Sequence, residues 1–151
     1  MSFWQSYYHL VWTTRHRAPT IDGRRAAVID RAIRATGRED GVIVHAVGSV
    51  PDHRHMVVSI PPRLAVSAVV QRLKGTTSHL LNHAEAKDGE GPFAWQTEYG
   101  VLTFAKESLP TVVAYVQNQT AHHAANDLWP LYECDDRRHT PVLSLGEASS
   151  A

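Results

Sequence analysis

The sequence contains a single cysteine, Cys134, among its 151 residues, so it can form no internal disulfide. A reducing intracellular compartment suits such a chain, and we expect a cytoplasmic protein. The sequence also lacks any apolar run near the ~20 residues that a membrane-spanning helix needs. Its first ten residues, MSFWQSYYHL, lack the basic start and apolar centre of a signal peptide. We therefore expect a protein that does not engage a membrane.

The chain has no net charge, because 15 Lys and Arg residues balance 15 Asp and Glu residues. General nucleic-acid binders usually carry a basic excess, so this balance argues mildly against one, although it does not exclude a local basic patch. Hydrophobic residues make up 43% of the chain and charged residues 20%, as in ordinary globular domains. We find no internal repeat, and we predict one domain over residues 1–130 followed by a polar C-terminal tail at 131–151.

Histidine, in contrast, is abundant, with ten residues, and one pair of histidines is informative. His53 and His55 lie in the segment PDHRHMVVSIPP, whose apolar run ends at two prolines and predicts a strand. Because side chains alternate across a strand, both imidazoles should lie on one face, roughly 7 Å apart, with Arg54 on the other. Two imidazoles on a rigid face can share one metal ion. An isolated pair of this kind is more often two surface histidines. Other parts of the chain are therefore needed to distinguish a metal site from a surface pair.

Hydrophobic patterning along the chain predicts seven main elements. The predicted strands are residues 7–14, 42–50, 53–60 and 99–104, with a further strand-like piece at 93–96. The predicted helices are residues 23–36, 63–86 and about 108–125, with Asp22 and Ser108 as N-caps and Pro110 in the last helix's first turn. This β-α-β-β-α-β-α order indicates an α+β fold, a ferredoxin-like antiparallel sheet with helices packed on it. Such a fold hosts many functions and does not select one.

The last predicted helix carries the second group of candidate site residues. Tyr115 and Gln119 are four residues apart and should be neighbours on one flank, which Asn118 and His122 extend. The apolar residues of this helix, which should pack on the sheet, are Leu109, Val112, Val113 and Val116. Taken alone, the flank is more typical of a tyrosine at the rim of a core with solvated amides.

Together with the histidine pair, this flank suggests phosphoryl chemistry. A metal held by His53 and His55 still needs oxygen ligands, and the Gln119 amide offers one. The phenol of Tyr115 has an ordinary pKa of ~10, so it is a poor nucleophile unless its phenolate or its target is stabilised. A divalent ion beside it can polarise a phosphate oxygen, and the product would be a phosphotyrosine. Such a bond retains the phosphodiester energy, so a strand could be cut and rejoined without ATP.

Five segments carry a resemblance to a known family. They are YHLVWTTRHR, PDHRHMVVSIP, VVQRLKGTTSHLL, FAWQTEYGVLTF and YVQNQTAHH. In order and spacing they resemble the IS200/IS605-type transposases, single-domain members of the HUH nuclease superfamily with one catalytic tyrosine (Y1 transposases). The resemblance extends over residues 7–123, roughly three quarters of the chain.

The resemblance implies a DNA transposase that cuts and rejoins single-stranded DNA at the hairpin-bearing ends of a mobile element. In that family pattern, His53, His55 and Gln119 would hold Mg²⁺ or Mn²⁺ and Tyr115 would attack the scissile phosphate. The products would be a 5′-phosphotyrosine and a free 3′-OH. Family members are homodimers, and in many of them the tyrosine helix completes the partner's site in trans.

The chain departs from the family pattern at the residue between the two histidines. This residue is normally apolar because it faces the helices behind the sheet, and here it is Arg54. An unpaired buried arginine is very costly. Either its stem packs and its head reaches water or an acidic partner, or the strand lies near an exposed margin of the sheet. Arg54 and the zero net charge support an alternative function, a catalytically retired DNA- or RNA-hairpin-binding protein. A third hypothesis is a structural zinc-binding dimer, although neither alternative needs Tyr115 and Gln119.

Several polar residues are candidates for DNA contacts. Those that could meet phosphates follow the first strand, lie on the long helix or lie beside the tyrosine: Arg15, Arg17, Arg72, Lys74, Thr76 and His122. A solvated surface explains the residues of the loop and the long helix about as well. Trp95 and Tyr99 offer rings on which unpaired bases can stack, although core or dimer packing is favoured for Trp95. Asp52 could bond either within the hairpin turn or to a histidine, and the bond within the turn is the default expectation.

Overall fold

The computed structural model describes residues 2–85 and 91–119. In chain order the main elements are β1 (Tyr8–Thr13), α1 (Gly23–Asp40), β2 (Ile43–Val50), β3 (His53–Ser59), α2 (Val66–Glu85), β4 (Gly100–Thr103) and α3 (Leu109–Gln117). Short 3₁₀ helices, Arg15–Arg17 and Lys106–Ser108, precede α1 and α3. The predicted order of strands and helices is confirmed.

The four strands form one antiparallel sheet in the order β2-β3-β1-β4. Strands β1 and β3 are central, and their register places Val11 opposite His55. On the other side of β3, Gly48 of β2 is the partner of His55. This order and the antiparallel pairing are those of the ferredoxin-like plan, with the β1 and β2 strands separated by β3.

Helices cover both faces of the sheet. On one face α1 and α2 enclose the larger core, which includes Leu10, Trp12, Met56 and Val58. On the opposite face α3 covers a smaller cluster made of Ala46, Val57, Val112, Tyr115 and Val116. Because alternate residues of a strand point to opposite faces, His53 and His55 share the α3 face with Val57, whereas Arg54 shares the other with Met56.

The ends of the helices differ in part from the prediction. Asp22 caps α1 as predicted, with its carboxylate accepting a hydrogen bond from the backbone N–H of Arg25 at 2.8 Å. The helix continues to Asp40 rather than ending at residue 36, because Gly37 is buried against Val42 and Val44. Gly41, at φ 73°, ends it instead. Ser108 makes no side-chain capping bond, because it closes the short 3₁₀ helix that leads into α3.

Other predicted segments are shorter than expected or lie beyond the described residues. Residues 93–96 contribute only an isolated bridge between Thr14 and Trp95, not a strand. Helix α3 is described to Gln117, with Asn118 as its C-cap. The rest of that predicted helix, including His122, and the predicted tail at 131–151 lie outside the described residues. No described helix is long and apolar enough to span a membrane.

Candidate active site

Arg54 has the acidic partner that its position requires. Its guanidinium forms an ion pair with Asp30 of α1, on the face opposite the histidine pair. The Arg54 side chain is 1% exposed and the Asp30 side chain 40%. The buried positive charge is therefore paired with a carboxylate that still contacts solvent. Burial lowers the pKa of Arg54 to about 10. The arginine is therefore accommodated behind the sheet and leaves the histidine face unchanged.

The two histidines lie buried on the α3 face, with ring centroids 4.9 Å apart. In each, the δ nitrogen has a partner. The His53 Nδ1 lies 2.6 Å from Oδ1 of Asp52, and this hydrogen bond holds the pKa of the Asp52 carboxyl below its ordinary value. The His55 Nδ1 lies 2.8 Å from Nε2 of His9. A carboxylate or a second ring at one nitrogen fixes the orientation of the whole imidazole, and with it the direction in which Nε2 can meet a ligand.

Helix α3 brings Tyr115 and Gln119 to the same face. The Tyr115 ring is 2% exposed and meets the His55 ring edge-on, with centroids 6.2 Å apart. The Gln119 Nε2 donates to the carbonyl oxygen of Tyr115 at 3.2 Å, one turn back along the chain. Gln119 is 1% exposed, and its Oε1 accepts no hydrogen bond from the described part of the chain.

Gly48 is the reason that α3 approaches the sheet so closely. It is the β2 partner of His55, and the carbonyl group of Val116 lies directly over its Cα. A Cβ at this position would fall 1.9 Å from the Val116 oxygen and 3.4 Å from Cγ of Gln119. Only glycine leaves room for this helix, so Gly48 sets how near Tyr115 and Gln119 come to the histidines.

The donors in this cluster fit a divalent cation of the Mg²⁺ or Mn²⁺ type. A buried amide oxygen without a hydrogen bond is costly unless a ligand satisfies it, and Gln119 Oε1 is such an atom. The two imidazoles add nitrogen donors whose orientation Asp52 and His9 fix. Among residues 2–85 and 91–119, no three His, Cys, Asp or Glu side chains are grouped as a metal site. The set therefore depends on the amide of Gln119, which a structural zinc site does not need.

Three residues of this cluster were not singled out as site residues from the sequence. His9 is buried and contacts His55. Gly48 leaves the room that α3 needs to approach the sheet. Asp52 forms a hydrogen bond with His53. Alternation along β1 could have placed His9 on one face, but only the register shows that this is the face of His55. The backbone carbonyl of Asp52 also accepts hydrogen bonds from the backbone N–H and the hydroxyl of Thr14, which join the hairpin turn to the end of β1.

The candidate DNA-contact residues do not form one patch. Arg15 and Lys74 line a groove of about 460 Å³ between α2 and residues 93–99. The Lys74 ammonium donates to the carbonyls of Thr97 and Glu98 and lies 5.9 Å from the centre of the Tyr99 ring. The groove thus combines two cations with a tyrosine.

The remaining candidates are engaged elsewhere. The Arg17 guanidinium lies 3.8 Å from the carboxylate of Asp52, next to the histidine pair. Arg72 is paired with Glu39 and Asp40 of α1, and Thr76 is half-buried on α2.

Trp95 belongs to the core, as favoured from the sequence. It is 8% exposed, meets Trp12 edge-on, and donates its Nε1–H to the hydroxyl of Thr77 at 2.9 Å. Its polar atom is thereby satisfied inside the protein. Tyr99, which is half-buried on the groove, remains the ring available to a ligand.

The described residues thus combine a four-stranded antiparallel sheet, a histidine pair on its central strand β3 and the helix of Tyr115 packed against the same face. The sequence profile described as "Transposase IS200 like" matches residues 2–119 of this chain. The chain belongs to the IS200-like transposase family, so the resemblance noted from the sequence is confirmed.

Individual relatives are consistent with this assignment. The chain is 26% identical over 119 residues to the ISDra2 transposase TnpA of Deinococcus radiodurans, which covers 77% of this chain and 85% of the relative. It is 28% identical over 78 residues to the transposases for insertion sequence element IS200 of Salmonella typhimurium and Salmonella typhi. That match spans 52% of this chain and 51% of each relative, about half of their length.

Two solved structures share the fold. A putative transposase from Deinococcus radiodurans superposes with a TM-score of 0.62 at 23% identity, covering 79% of this chain and 95% of that one. A REP-associated tyrosine transposase bound to a REP hairpin superposes with a TM-score of 0.61 at 16% identity, covering 90% and 93%. At these identities the likeness establishes the fold alone.

Proposed function

We propose that this transposase cuts and rejoins single-stranded DNA through a covalent bond between Tyr115 and a 5′ phosphate. The observation that carries the proposal is the convergence of four side chains from two elements on one face of the sheet. His53 and His55 come from β3, and Tyr115 and Gln119 from α3 and its C-terminal end. Gly48 makes their close approach possible.

The proposed step is an in-line displacement at the scissile phosphate. The Tyr115 Oη bonds to phosphorus as the bond from phosphorus to the 3′ oxygen breaks. The phenol gives up its proton, and the departing 3′ oxygen takes one up to become a free 3′-OH. Because one phosphodiester replaces another, a later 3′-OH can attack the phosphotyrosine and restore both the strand and the phenol.

His53, His55 and Gln119 would hold Mg²⁺ or Mn²⁺ at this site. Such an ion, when bound, polarises a phosphate oxygen and offsets the charge that develops there. The chain's own contribution is orientation, since the partners of His53 and His55 and the Gln119–Tyr115 hydrogen bond fix the donor groups before the ion arrives.

We propose DNA hairpins as the substrate and assign contacts with the strand to the groove between α2 and residues 93–99. The solved REP-associated transposase is bound to a REP hairpin, and this chain shares its fold. In the groove, Arg15 and Lys74 supply positive charge for phosphates and Tyr99 a ring for an unpaired base. The neutral total charge is compatible with such a local concentration of cations.

The decisive experiment is a search for a covalent protein–DNA adduct. Single-stranded oligonucleotides from both flanks of the encoding gene, each strand separately, are incubated with protein and Mg²⁺ or Mn²⁺ and then denatured. We expect an adduct that Tyr115→Phe and EDTA each abolish. A folded protein that binds one hairpin tightly without metal, yet never forms an adduct, would favour the retired hairpin-binding alternative.

A mixing experiment tests whether the tyrosine of each site comes from the same chain or from the partner in the proposed homodimer. In the structure Tyr115 lies beside its own chain's histidines, which supports a site completed within one chain. If Tyr115→Phe and His55→Ala proteins are co-expressed, a site completed in cis gives no adduct. An adduct restored by the mixture would instead show that α3 acts on the partner's histidines.

A further inference from the structure

His9 is a buried histidine with a specific partner in the candidate site. It lies on β1 opposite Val57, on the same sheet face as His55, and it is 0% exposed. Its ring lies nearly parallel to that of His55, with centroids 5.0 Å apart and planes inclined by 16°. The His9 Nε2 lies 2.8 Å from the His55 Nδ1. A fully buried imidazole is costly unless it is hydrogen-bonded, so this contact helps to make His9 tolerable there.

The proton in this hydrogen bond can sit on only one of the two nitrogens. If the His9 Nε2 carries it, neutral His55 has its own proton on Nε2, and that nitrogen cannot bind a metal. If the His55 Nδ1 carries it, the Nε2 of His55 presents a lone pair and His9 acts as the acceptor. Only the second arrangement is compatible with the metal site described above.

We propose that His9 is a positioning residue, which accepts the Nδ1–H of His55 and thereby presents the His55 Nε2 to the divalent cation. This inference rests on the proposed function, because it assumes that His55 is a ligand. The two proposed ligands are then oriented by different groups. A hydrogen bond to the Asp52 carboxylate orients His53, and one to the His9 imidazole orients His55. Because the His55 ring also meets Tyr115, the same hydrogen bond fixes the ring against which the nucleophile packs.

Metal affinity distinguishes this role from simple packing. Mn²⁺ binding to the purified, DNA-free protein is measured by calorimetry for the wild type, His9→Leu and His9→Gln. We expect His9→Leu to weaken Mn²⁺ binding about 10- to 100-fold, the range found when such supporting partners are removed. His9→Gln should restore most of the affinity, because its amide oxygen can accept the same hydrogen bond.

His45 offers a matched control. It is a half-buried histidine on β2 whose Nε2 lies 2.8 Å from the hydroxyl of Ser59, away from His53 and His55. His45→Leu should leave Mn²⁺ affinity unchanged even if it shifts the melting temperature. A folded His9→Leu protein with wild-type Mn²⁺ affinity would overturn the role of His9 alone. A wild-type protein that binds no Mn²⁺ would overturn the metal site of the proposed function as well.

A second measurement needs no folded variant. Imidazole ¹⁵N shifts of the Mg²⁺-saturated wild-type protein report which nitrogen of each histidine carries a proton. We expect His55 to be protonated on Nδ1, with His9 unprotonated on Nε2. Protonation of His55 on Nε2, with Nδ1 accepting from His9, would refute the proposal whatever the variants do.

Discussion

Replacing Gly48 by alanine should separate the two halves of the site without removing any of their functional groups. The new Cβ would start 1.9 Å from the carbonyl oxygen of Val116, whereas Cβ atoms are not found closer than 3.0 Å to such neighbours. The obstructing atom is backbone, so it cannot rotate away. Helix α3 must therefore retreat from β2 by 1.1 Å or more, the difference between 3.0 and 1.9 Å, and Tyr115 and Gln119 must move with it.

The substitution should lower both the stability of the protein and the rate of the reaction. Forcing an extra methyl group into a packed contact destabilises a protein by about 1–3 kcal/mol. A displacement of about 1 Å at a reacting centre can slow the reaction by roughly 100-fold. We expect Gly48→Ala to form the Tyr115–DNA adduct about 100-fold more slowly and to bind Mn²⁺ more weakly, because Gln119 moves away from the histidines.

Adduct formation under single-turnover conditions and urea denaturation should be measured on the same preparations. Gly23→Ala is a matched control, because this glycine lies at the start of α1, where an added methyl group would meet nothing within 4 Å. It should leave the adduct rate unchanged. A folded Gly48→Ala protein that forms the adduct at the wild-type rate would show that the closeness of α3 is not what assembles the site.

Three further predictions concern charge and metal. Asp30→Asn should destabilise the protein by about 3–5 kcal/mol in urea denaturation, because it leaves the buried Arg54 charge without a counter-charge. Arg54→Met should be near neutral or stabilising. An equal loss of stability in the two variants would contradict this. The pKa of Asp52 is lowered in the folded state, so its contribution to stability is complete above its unfolded value of 3.8 and is lost as the pH falls through the lower folded value. The stability difference between wild type and Asp52→Asn should therefore shrink on acidification, and a difference that grows below pH 3.8 would refute the assignment. EDTA should abolish the adduct yet leave the melting temperature of the protein as purified unchanged, since Mg²⁺ is rarely a structural cage. A large fall in melting temperature on addition of EDTA would favour a structural metal.

The fold was predictable because its signals are local. The strands are short apolar runs bounded by turn residues, and α1 begins at an aspartate that caps it. The end of α1 was not predictable in the same way. Gly37 resembles a stop signal in sequence, but tertiary packing against Val42 and Val44 makes it an interior helix residue.

The same distinction between local signals and tertiary contacts applies to the candidate site. His53 and His55 could be placed on one face by alternation, and Tyr115 and Gln119 on one helix flank by spacing. The contacts of His9, Asp30 and Gly48 depend instead on pairs that are far apart in sequence. His9 meets His55 46 residues away, and which residues meet is decided by the register of β1 on β3. Local periodicity carries no information about that register.

The two faces of the sheet have different consequences for variation in this protein. The α1 and α2 face holds the larger apolar core, together with the Arg54–Asp30 ion pair. The α3 face holds only a small apolar cluster, in which the candidate nucleophile is itself a packing residue. Substitutions on the α1 and α2 face should therefore chiefly change the thermal stability of the protein. Substitutions on the α3 face should chiefly change the activity of the protein on DNA. A search for more thermostable variants of this enzyme should therefore target the α1 and α2 face.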